Sequence, residues 1–365
     1  MRVIISGGGS GGHIFPALAI AEALKKRIPD VEIQFVGAKG KIEMEKVPKA
    51  GYPIEGLWIS GIDRKLTKRN LIFPFKLVSS LWKARKIIKA FKPEVVIGVG
   101  GYASGPVLHV ASGMGIPTLI QEQNSYAGIT NKLLAKRVDK ICVAYPKMER
   151  FFPAEKLTFT GNPVRKSVYD HNLSVEDARK KCGVDADQQT VLLFGGSLGA
   201  RTLNVAMREN TAAIEKMSNV NFIWQCGKIY YDDYKNSDTA GLSHVHCSAF
   251  IDDMAAAYRA SDIVVCRAGA LTISELALTE KPAILVPSPN VAEDHQTKNA
   301  MALVERDAAL LVTDTTLKEE LIPSIVSMLG DEEKKNRMAQ AIRALGKEDA
   351  ADSIASEIID MIKPS

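Results

Sequence analysis

Twice in this chain an apolar run stops abruptly at glycines and passes into helical patterning. The first is Ile4-Ile5-Ser6-Gly7-Gly8-Gly9-Ser10-Gly11-Gly12, and the second is Leu192-Leu193-Phe194-Gly195-Gly196-Ser197-Leu198-Gly199-Ala200. A buried strand that runs through a glycine turn into a helix is the opening unit of a parallel βαβ sheet: the glycines let the backbone turn sharply and let an anion approach the amides at the helix N-terminus. Two such openings in 365 residues, more than one compact core usually holds, predict two α/β domains of the same kind. The intervening pattern agrees, with short β-rich runs alternating with amphipathic stretches. Strands are expected at 2–6, 32–37, 94–100, 118–122 and 140–144, with helices at 15–27 and 71–89. In the second half strands are expected at 191–194, 222–225, 244–250, 263–267, 283–287 and 309–312. A polar stretch, 169–189, reads as the separator of the halves. The expected domains are 1–163 and 164–340, with 341–365 packing back toward the first.

Composition narrows the class. With 46% hydrophobic and 24% charged residues the chain is an ordinary globular protein. Its five cysteines lie far apart with no CxxC or Cys/His cluster, so neither a disulfide framework nor a metal site is expected. Cys142 and Cys266, inside apolar runs, read as core residues of a protein kept in a reducing compartment. No signal peptide and no run long enough to span a membrane are read from the sequence.

Gly7 to Gly12 satisfies G-x-G-x-x-G, so a dinucleotide-binding oxidoreductase is one reading. That reading needs an acid at the end of the second strand for the ribose, and Phe35-Val36-Gly37-Ala38-Lys39 has none. His13, just past the glycines, sits where a loop faces a crevice at the strand ends. It is either a proton acceptor near neutral pH or a residue that shapes the loop. In the second half, Gly195–Gly199 and the turn Arg267-Ala268-Gly269-Ala270-Leu271-Thr272-Ile273-Ser274-Glu275 offer amides to phosphates. Glu275 is placed to accept hydrogen bonds from two ribose hydroxyls, and Gln296, after Asp294-His295, is suited to sugar hydroxyls. The combination points to a nucleotide-activated sugar.

These motifs resemble a known family. Gly7 to His13 followed by Pro16, Gly100-Gly101-Tyr102, Glu122-Gln123-Asn124, Gly161-Asn162-Pro163-Val164-Arg165, Gly195-Gly196-Ser197 and Arg267 to Glu275 occur in the order seen in the MurG family, the bacterial peptidoglycan N-acetylglucosaminyltransferases. The resemblance implies a GT-B fold, two Rossmann-like domains with parallel sheets facing a central cleft. It implies an inverting transfer of GlcNAc from UDP-GlcNAc to the MurNAc 4-hydroxyl of lipid I (undecaprenyl-pyrophosphoryl-MurNAc-pentapeptide), giving lipid II for cell-wall synthesis and so for cell shape and division. No cofactor or protein-bound metal is implied. Carried over by motif, Ser197 and the Leu271–Thr272 turn would hold the diphosphate, with Ile273 and Ser274 also among the UDP-GlcNAc contacts. Glu275 would bind the ribose, the backbone of Ile251 the uracil, and Arg165 the nucleotide. Asn124, Ala270 and Gln296 would contact the sugar, while Ser10, Gly11 and Gly12 would face a diphosphate. His13 would be the base, with Glu122 its rival. Two positions depart from the family pattern: Ser10 stands for a common threonine, and Gln121 stands for a histidine before Glu122.

The net charge of +5 is unevenly spread. Ten Lys/Arg and no acid lie between Arg64 and Lys92, leaving 37 basic against 42 acidic residues elsewhere. Interleaved apolar residues occupy more than one helical face. Lys68, Arg69, Leu71, Ile72, Phe73, Phe75, Lys76, Trp82 and Lys83 are therefore expected to dock on an anionic leaflet, placing the protein peripherally on the cytoplasmic face of the membrane. No nucleic-acid-binding motif accompanies the patch, so nucleic acid is not an expected partner.

Overall fold

The computed structural model describes residues 1–61, 68–289, 291 and 294–362, with residues 68–70 described by backbone alone. The chain divides into two compact units, Met1–Arg165 with Lys347–Ser365, and Lys166–Gly346.

In unit 1 the inner strands are apolar runs buried on both faces, as parallel sheets require, while the two edge strands are short and partly exposed. They are β1 (Arg2–Ser6), β2 (Glu32–Ala38), β3 (Ile54–Leu57), β4 (Val95–Gly98), β5 (Thr118–Glu122), β6 (Lys140–Val143) and β7 (Leu157–Phe159). Their order is β3-β2-β1-β4-β5-β6-β7, every pairing parallel. The helices are α1 (Gly11–Arg27), α2 (Glu43–Lys49), α3 (Lys68–Phe91), α4 (Ser104–Gly113) and α5 (Ile129–Leu134). Alternate residues of β1 feed opposite cores, as the period of a strand dictates. Val3 and Ile5 pack with Ile20 and Leu24 of α1, whereas Ile4 packs with Ile88 of α3 and Val107 of α4. Cys142 is a core residue as expected, and burial pushes its thiol up to about 12.

Unit 2 repeats the plan with β8 (Gln189–Phe194), β9 (Val220–Gln225), β10 (Val245–Ser248), β11 (Ile263–Cys266), β12 (Ala283–Leu285) and β13 (Leu310–Leu311), in the order β10-β9-β8-β11-β12-β13. Its helices are α6 (Val175–Lys181), α7 (Arg201–Glu209), α8 (Thr211–Glu215), α9 (Tyr231–Tyr234), α10 (Met254–Ala260), α11 (Ala270–Leu278), α12 (His295–Val304), α13 (Leu317–Leu329) and α14 (Glu332–Arg343). The final helix, α15 (Ala350–Asp360), packs on α1 of unit 1, burying Ile354, Ala355 and Ile358.

In each sheet the order in which strands are added therefore reverses once, between β1 and β4 in unit 1 and between β8 and β11 in unit 2. In open α/β sheets the crevice at such a reversal is where ligands bind. The glycine turns after β1 and β8, and the loops after β4 and β11, all lie at these two points.

The stretch 169–189 differs from its expected role as a separator. Ser174 caps α6 by accepting from the Asp177 N–H at 3.0 Å, and Arg179 donates to the carbonyls of Ala260 and Ala186 and to Asp262. These bonds make the stretch part of unit 2. The division after Arg165 also assigns Arg165 to unit 1, two residues beyond the expected boundary.

Candidate active site

At the reversal in unit 1 the glycine turn is shaped by a residue the motifs did not reveal. Gly8 and Gly9 adopt φ of 138° and 90°. Glu43, the first residue of α2 and fully buried, accepts from the Gly9 N–H at 2.8 Å and from the Ala38 N–H at 2.9 Å. A Cβ on Gly8 would stand 2.2 Å from this carboxyl group, and one on Gly101 would stand 2.1 Å from the Gly8 carbonyl oxygen. The protein's own carboxylate thus takes the loop amide that the dinucleotide reading would give to a pyrophosphate. Beyond it, Ser10 ends the turn in extended conformation, and its carbonyl receives the N–H groups of His13 and Ile14, which starts α1 at Gly11 rather than at residue 15. No acidic side chain stands in the first turn of α1, so Ser10, Gly11 and Gly12 open a helix end suited to an anion.

His13 is the third residue of α1. Its Nδ1 lies 2.9 Å from Oε1 of Gln123, and its ring passes so close to Gly100 that a Cβ there would meet it at 3.0 Å. Glu122, the last residue of β5, is 1% exposed. One of its oxygens accepts from the N–H and side-chain amide of Asn124 at 3.0 and 3.2 Å. The other accepts from the Gly128 N–H at 2.9 Å and Asn131 Nδ2 at 2.8 Å. Four donors occupy the lone-pair directions of one carboxylate, so Glu122 and Asn124 act together to hold the loop from 124 to 131. Arg165 lies over the Phe15 ring, 4.9 Å from its centroid.

In unit 2 two helix starts flank the reversal. Gly196 and Gly199 close a tight turn, with the Gly199 N–H donating to the Gly196 carbonyl at 2.9 Å and Ser197 at its corner. Gly199 (φ 79°) lies so near the Cys226 carbonyl that a Cβ would approach to 2.1 Å. Helix α11 begins after Gly269 with no acidic side chain in its first turn. Ala270 and Leu271 bury their side chains, so their backbone and the half-buried Thr272 are what they present. Ile273 does not fit the expected list of ligand contacts: its side chain is in the core and its N–H is bonded to the Gly269 carbonyl. The Ser274 hydroxyl turns back onto the Ala270 carbonyl.

Glu275 accepts from the fully buried Tyr258 hydroxyl at 2.9 Å. Burial, with the Glu275 charge beside it, pushes that hydroxyl well above its ordinary range and keeps it a donor. Gln225 joins two parts of the site: its amide nitrogen donates to the Gly196 carbonyl at 2.8 Å, and its oxygen accepts from the Ile251 N–H at 3.2 Å. The Oε1 of Gln296 accepts from the Ser288 N–H at 2.8 Å. Arg267 is committed internally, binding Asp314, Thr202 and the carbonyls of Val286 and Pro287. It braces the two helix starts rather than facing a ligand. Glu43, Gln225 and Tyr258 lie outside the motifs and only packing reveals them, while Gln123 stands in the Glu122-Gln123-Asn124 motif and packing reveals its partner, His13.

Helix α3 carries two apolar stripes. Phe73, Ala84 and Ile88 face the core, so Phe73 is not on the outer surface as expected. Leu71, Ile72, Phe75, Val78 and Trp82 face outward, with Leu71, Phe75 and Trp82 each 69–75% exposed. Lys76 donates to Ser60, and Lys83 pairs with Glu55 at 2.8 Å, so both are already engaged. The side chains of Lys68 and Arg69 lie outside the described residues, as do Arg64 and Lys65. Among the described residues no helix is long and apolar enough to cross a membrane, and no group of three His, Cys, Asp or Glu could hold a metal.

Residues 3–143 match the N-terminal domain of glycosyltransferase family 28, and residues 190–354 match its C-terminal domain. A protein of Phocaeicola vulgatus named UDP-N-acetylglucosamine–N-acetylmuramyl-(pentapeptide) pyrophosphoryl-undecaprenol N-acetylglucosamine transferase is 53% identical, over 99% of this chain and 96% of its own. The chain belongs to glycosyltransferase family 28. A family 28 relative of the same name from Cytophaga hutchinsonii is 51% identical, over 99% of this chain and 97% of its own. Among solved structures, Acinetobacter baumannii MurG aligns with a TM-score of 0.74 at 29% identity, covering 98% of this chain and 99% of that one. A UDP-GlcNAc 2-epimerase of Neisseria meningitidis bound to UDP-GlcNAc aligns with a TM-score of 0.69 at 14% identity, over 99% of this chain and 100% of that one, a likeness of fold alone. The resemblance to the MurG family and the α/β, GT-B class of fold both hold.

Proposed function

We propose that this chain transfers GlcNAc from UDP-GlcNAc to the MurNAc 4-hydroxyl of lipid I, releasing UDP and forming lipid II for peptidoglycan synthesis. The observation that carries this reading is identity above 50% along nearly the whole chain to transferases of that name. Unit 2 binds the donor. The turn at Ser197 and the start of α11 at Ala270–Thr272 hold the diphosphate, Glu275 takes the ribose hydroxyls, Ile251 meets the uracil, and Gln296 meets the sugar. As the C1–O bond to UDP breaks, charge grows on the diphosphate, where helix N-termini and turn amides stabilise it without a protein-bound metal.

In unit 1, His13 takes the proton of the attacking hydroxyl as the new C1–O bond forms. The four donors on Glu122 favour His13 over it, since Glu122 would have to give up a loop contact to accept a proton. The outward stripe of α3, with exposed Arg85, Lys86 and Lys89 along the same helix, docks the enzyme peripherally on the anionic cytoplasmic leaflet that holds the lipid acceptor. Incubation with UDP-[¹⁴C]GlcNAc and a short-chain lipid I analogue should give labelled disaccharide-lipid. Label remaining in UDP-sugar as a 2-epimer would replace this reading with that of an epimerase.

A further inference from the structure

Three side-chain amides in unit 1 form a continuous donor–acceptor chain ending on His13. Asn162 Nδ2 donates to the Gln123 carbonyl at 3.0 Å, while its Oδ1 accepts from Gln121 Nε2 at 3.2 Å. Gln121 Oε1 in turn accepts from Gln123 Nε2, which also donates to the Val99 carbonyl at 2.9 Å and the Gln121 carbonyl at 3.2 Å. Gln123 Oε1 then lies 2.9 Å from His13 Nδ1. All three amides are buried, at 0, 2 and 4% exposure for Gln121, Gln123 and Asn162.

Their orientation follows from their surroundings. Turning the Gln123 amide over would set its oxygen against three other oxygens in a site closed to water, leaving acceptors without donors. Its nitrogen therefore faces those carbonyls and its oxygen faces His13. An amide oxygen only accepts, so the proton of the pair sits on His13 Nδ1. We propose that Gln123 is a positioning residue that holds neutral His13 in the Nδ1–H tautomer, with the basic lone pair on Nε2, and that Gln121 and Asn162 hold Gln123 in turn.

This rests on the reading of His13 as base and adds its direction. When the substrate O–H bond breaks, the proton joins Nε2, the hydroxyl oxygen bonds to the anomeric carbon and UDP leaves with the C1–O electron pair. The Nδ1–H bond to Gln123 persists throughout. Gly100 supports the same geometry by leaving the ring no Cβ to avoid. A carboxylate in place of Gln123 would also stabilise the imidazolium by charge; the amide selects the tautomer by hydrogen bonding alone.

The test is long-range ¹H–¹⁵N correlation on histidine-labelled protein, with His13 assigned through His13→Gln. Wild type should show the Nδ1–H pattern; the Nε2–H pattern overturns the proposal without any variant. In Gln123→Met the tautomers should mix, and kcat should fall roughly 10- to 100-fold, part of the ~10²–10⁴ that a general base contributes, with KM for UDP-GlcNAc within about twofold. Gln121→Met should give a smaller loss in the same sense, because Gln123 keeps the Val99 carbonyl. Wild-type kcat and an unchanged Nδ1–H pattern in Gln123→Met would remove Gln123 from the role. Normal turnover in His13→Gln beside an Nδ1–H wild-type spectrum would instead remove the base role and leave the tautomer assignment standing.

Discussion

At Glu275 ligand binding and folding stability converge on one carboxylate, so the choice of replacement decides what is measured. It accepts from the Tyr258 hydroxyl at 2.9 Å, and Tyr258 is 0% exposed. Glu275→Ala leaves that hydroxyl buried without this acceptor, at a cost of about 1–3 kcal/mol in stability. It also removes a charged acceptor from the ribose, at ~1.5–3 kcal/mol in UDP affinity, or roughly 10- to 150-fold in Kd at about 1.36 kcal/mol per tenfold. Glu275→Gln keeps an oxygen for Tyr258 and removes only the charge. It should unfold within about 1 kcal/mol of wild type while binding UDP more weakly by the difference between a charged and a neutral acceptor, ~1 kcal/mol. Calorimetric titration with UDP and urea unfolding of the unliganded protein separate the two effects. If both variants bind UDP like wild type, Glu275 is not the ribose acceptor; if Glu275→Ala is as stable as wild type, Tyr258 does not depend on it. Tight binding of NADH in place of UDP would refute the donor assignment of unit 2 altogether.

His13→Ala should lower kcat by ~10²–10⁴-fold with UDP affinity nearly unchanged; near-normal turnover moves the proton to another acceptor. Changing Leu71, Phe75 and Trp82 together to serine should abolish salt-sensitive cosedimentation with anionic liposomes while sparing activity on a water-soluble acceptor, and wild-type binding by this variant would place the docking surface elsewhere. Lys281 should show itself in alkaline unfolding. Burial holds its ammonium down to about 8 from an ordinary 10.5, so between those pH values the unfolded chain binds the extra proton. The penalty is full below pH 8 and is lost as pH rises to 10.5, so wild type should gain ~3 kcal/mol relative to Lys281→Met between neutral pH and pH 10.5 in urea titrations. A constant difference across that range would mean the site is hydrated.

The strands were legible because parallel sheets bury both faces, so β1, β5 and β8 stand out as unbroken apolar runs ending at a polar residue or glycine. Strands β3 and β7 were not: β3 carries Glu55 and Gly56, β7 has three residues, and each has its place only by pairing with β2 or β6. The glycine turns could be read because a left-handed backbone demands glycine locally. What fills them could not, since Glu43 reaches Gly9 across 34 positions of sequence and Gln123 reaches His13 across 110. Arg267 shows the converse: it opens a turn read as offering amides to phosphates, yet its own guanidinium is already paired with Asp314, which the sequence did not indicate. On α3 the excess of apolar residues was visible, but dividing Phe73 from Phe75 required knowing which face meets the sheet.

The return of α15 to unit 1 makes that unit discontinuous in the chain, with unit 2 inserted between its two segments. Synthesis on the ribosome runs from one end, so unit 2 is complete once residue 346 has emerged, while unit 1 still lacks the helix that packs on α1 and brings Ile354 and Ile358 into its core. The earlier segment must therefore wait, with that face of α1 open, until the last residues leave the exit tunnel. A stop codon placed just after Gly346 would yield a finished donor-binding half attached to an unfinished partner, and chaperones and proteases would meet unit 1 first.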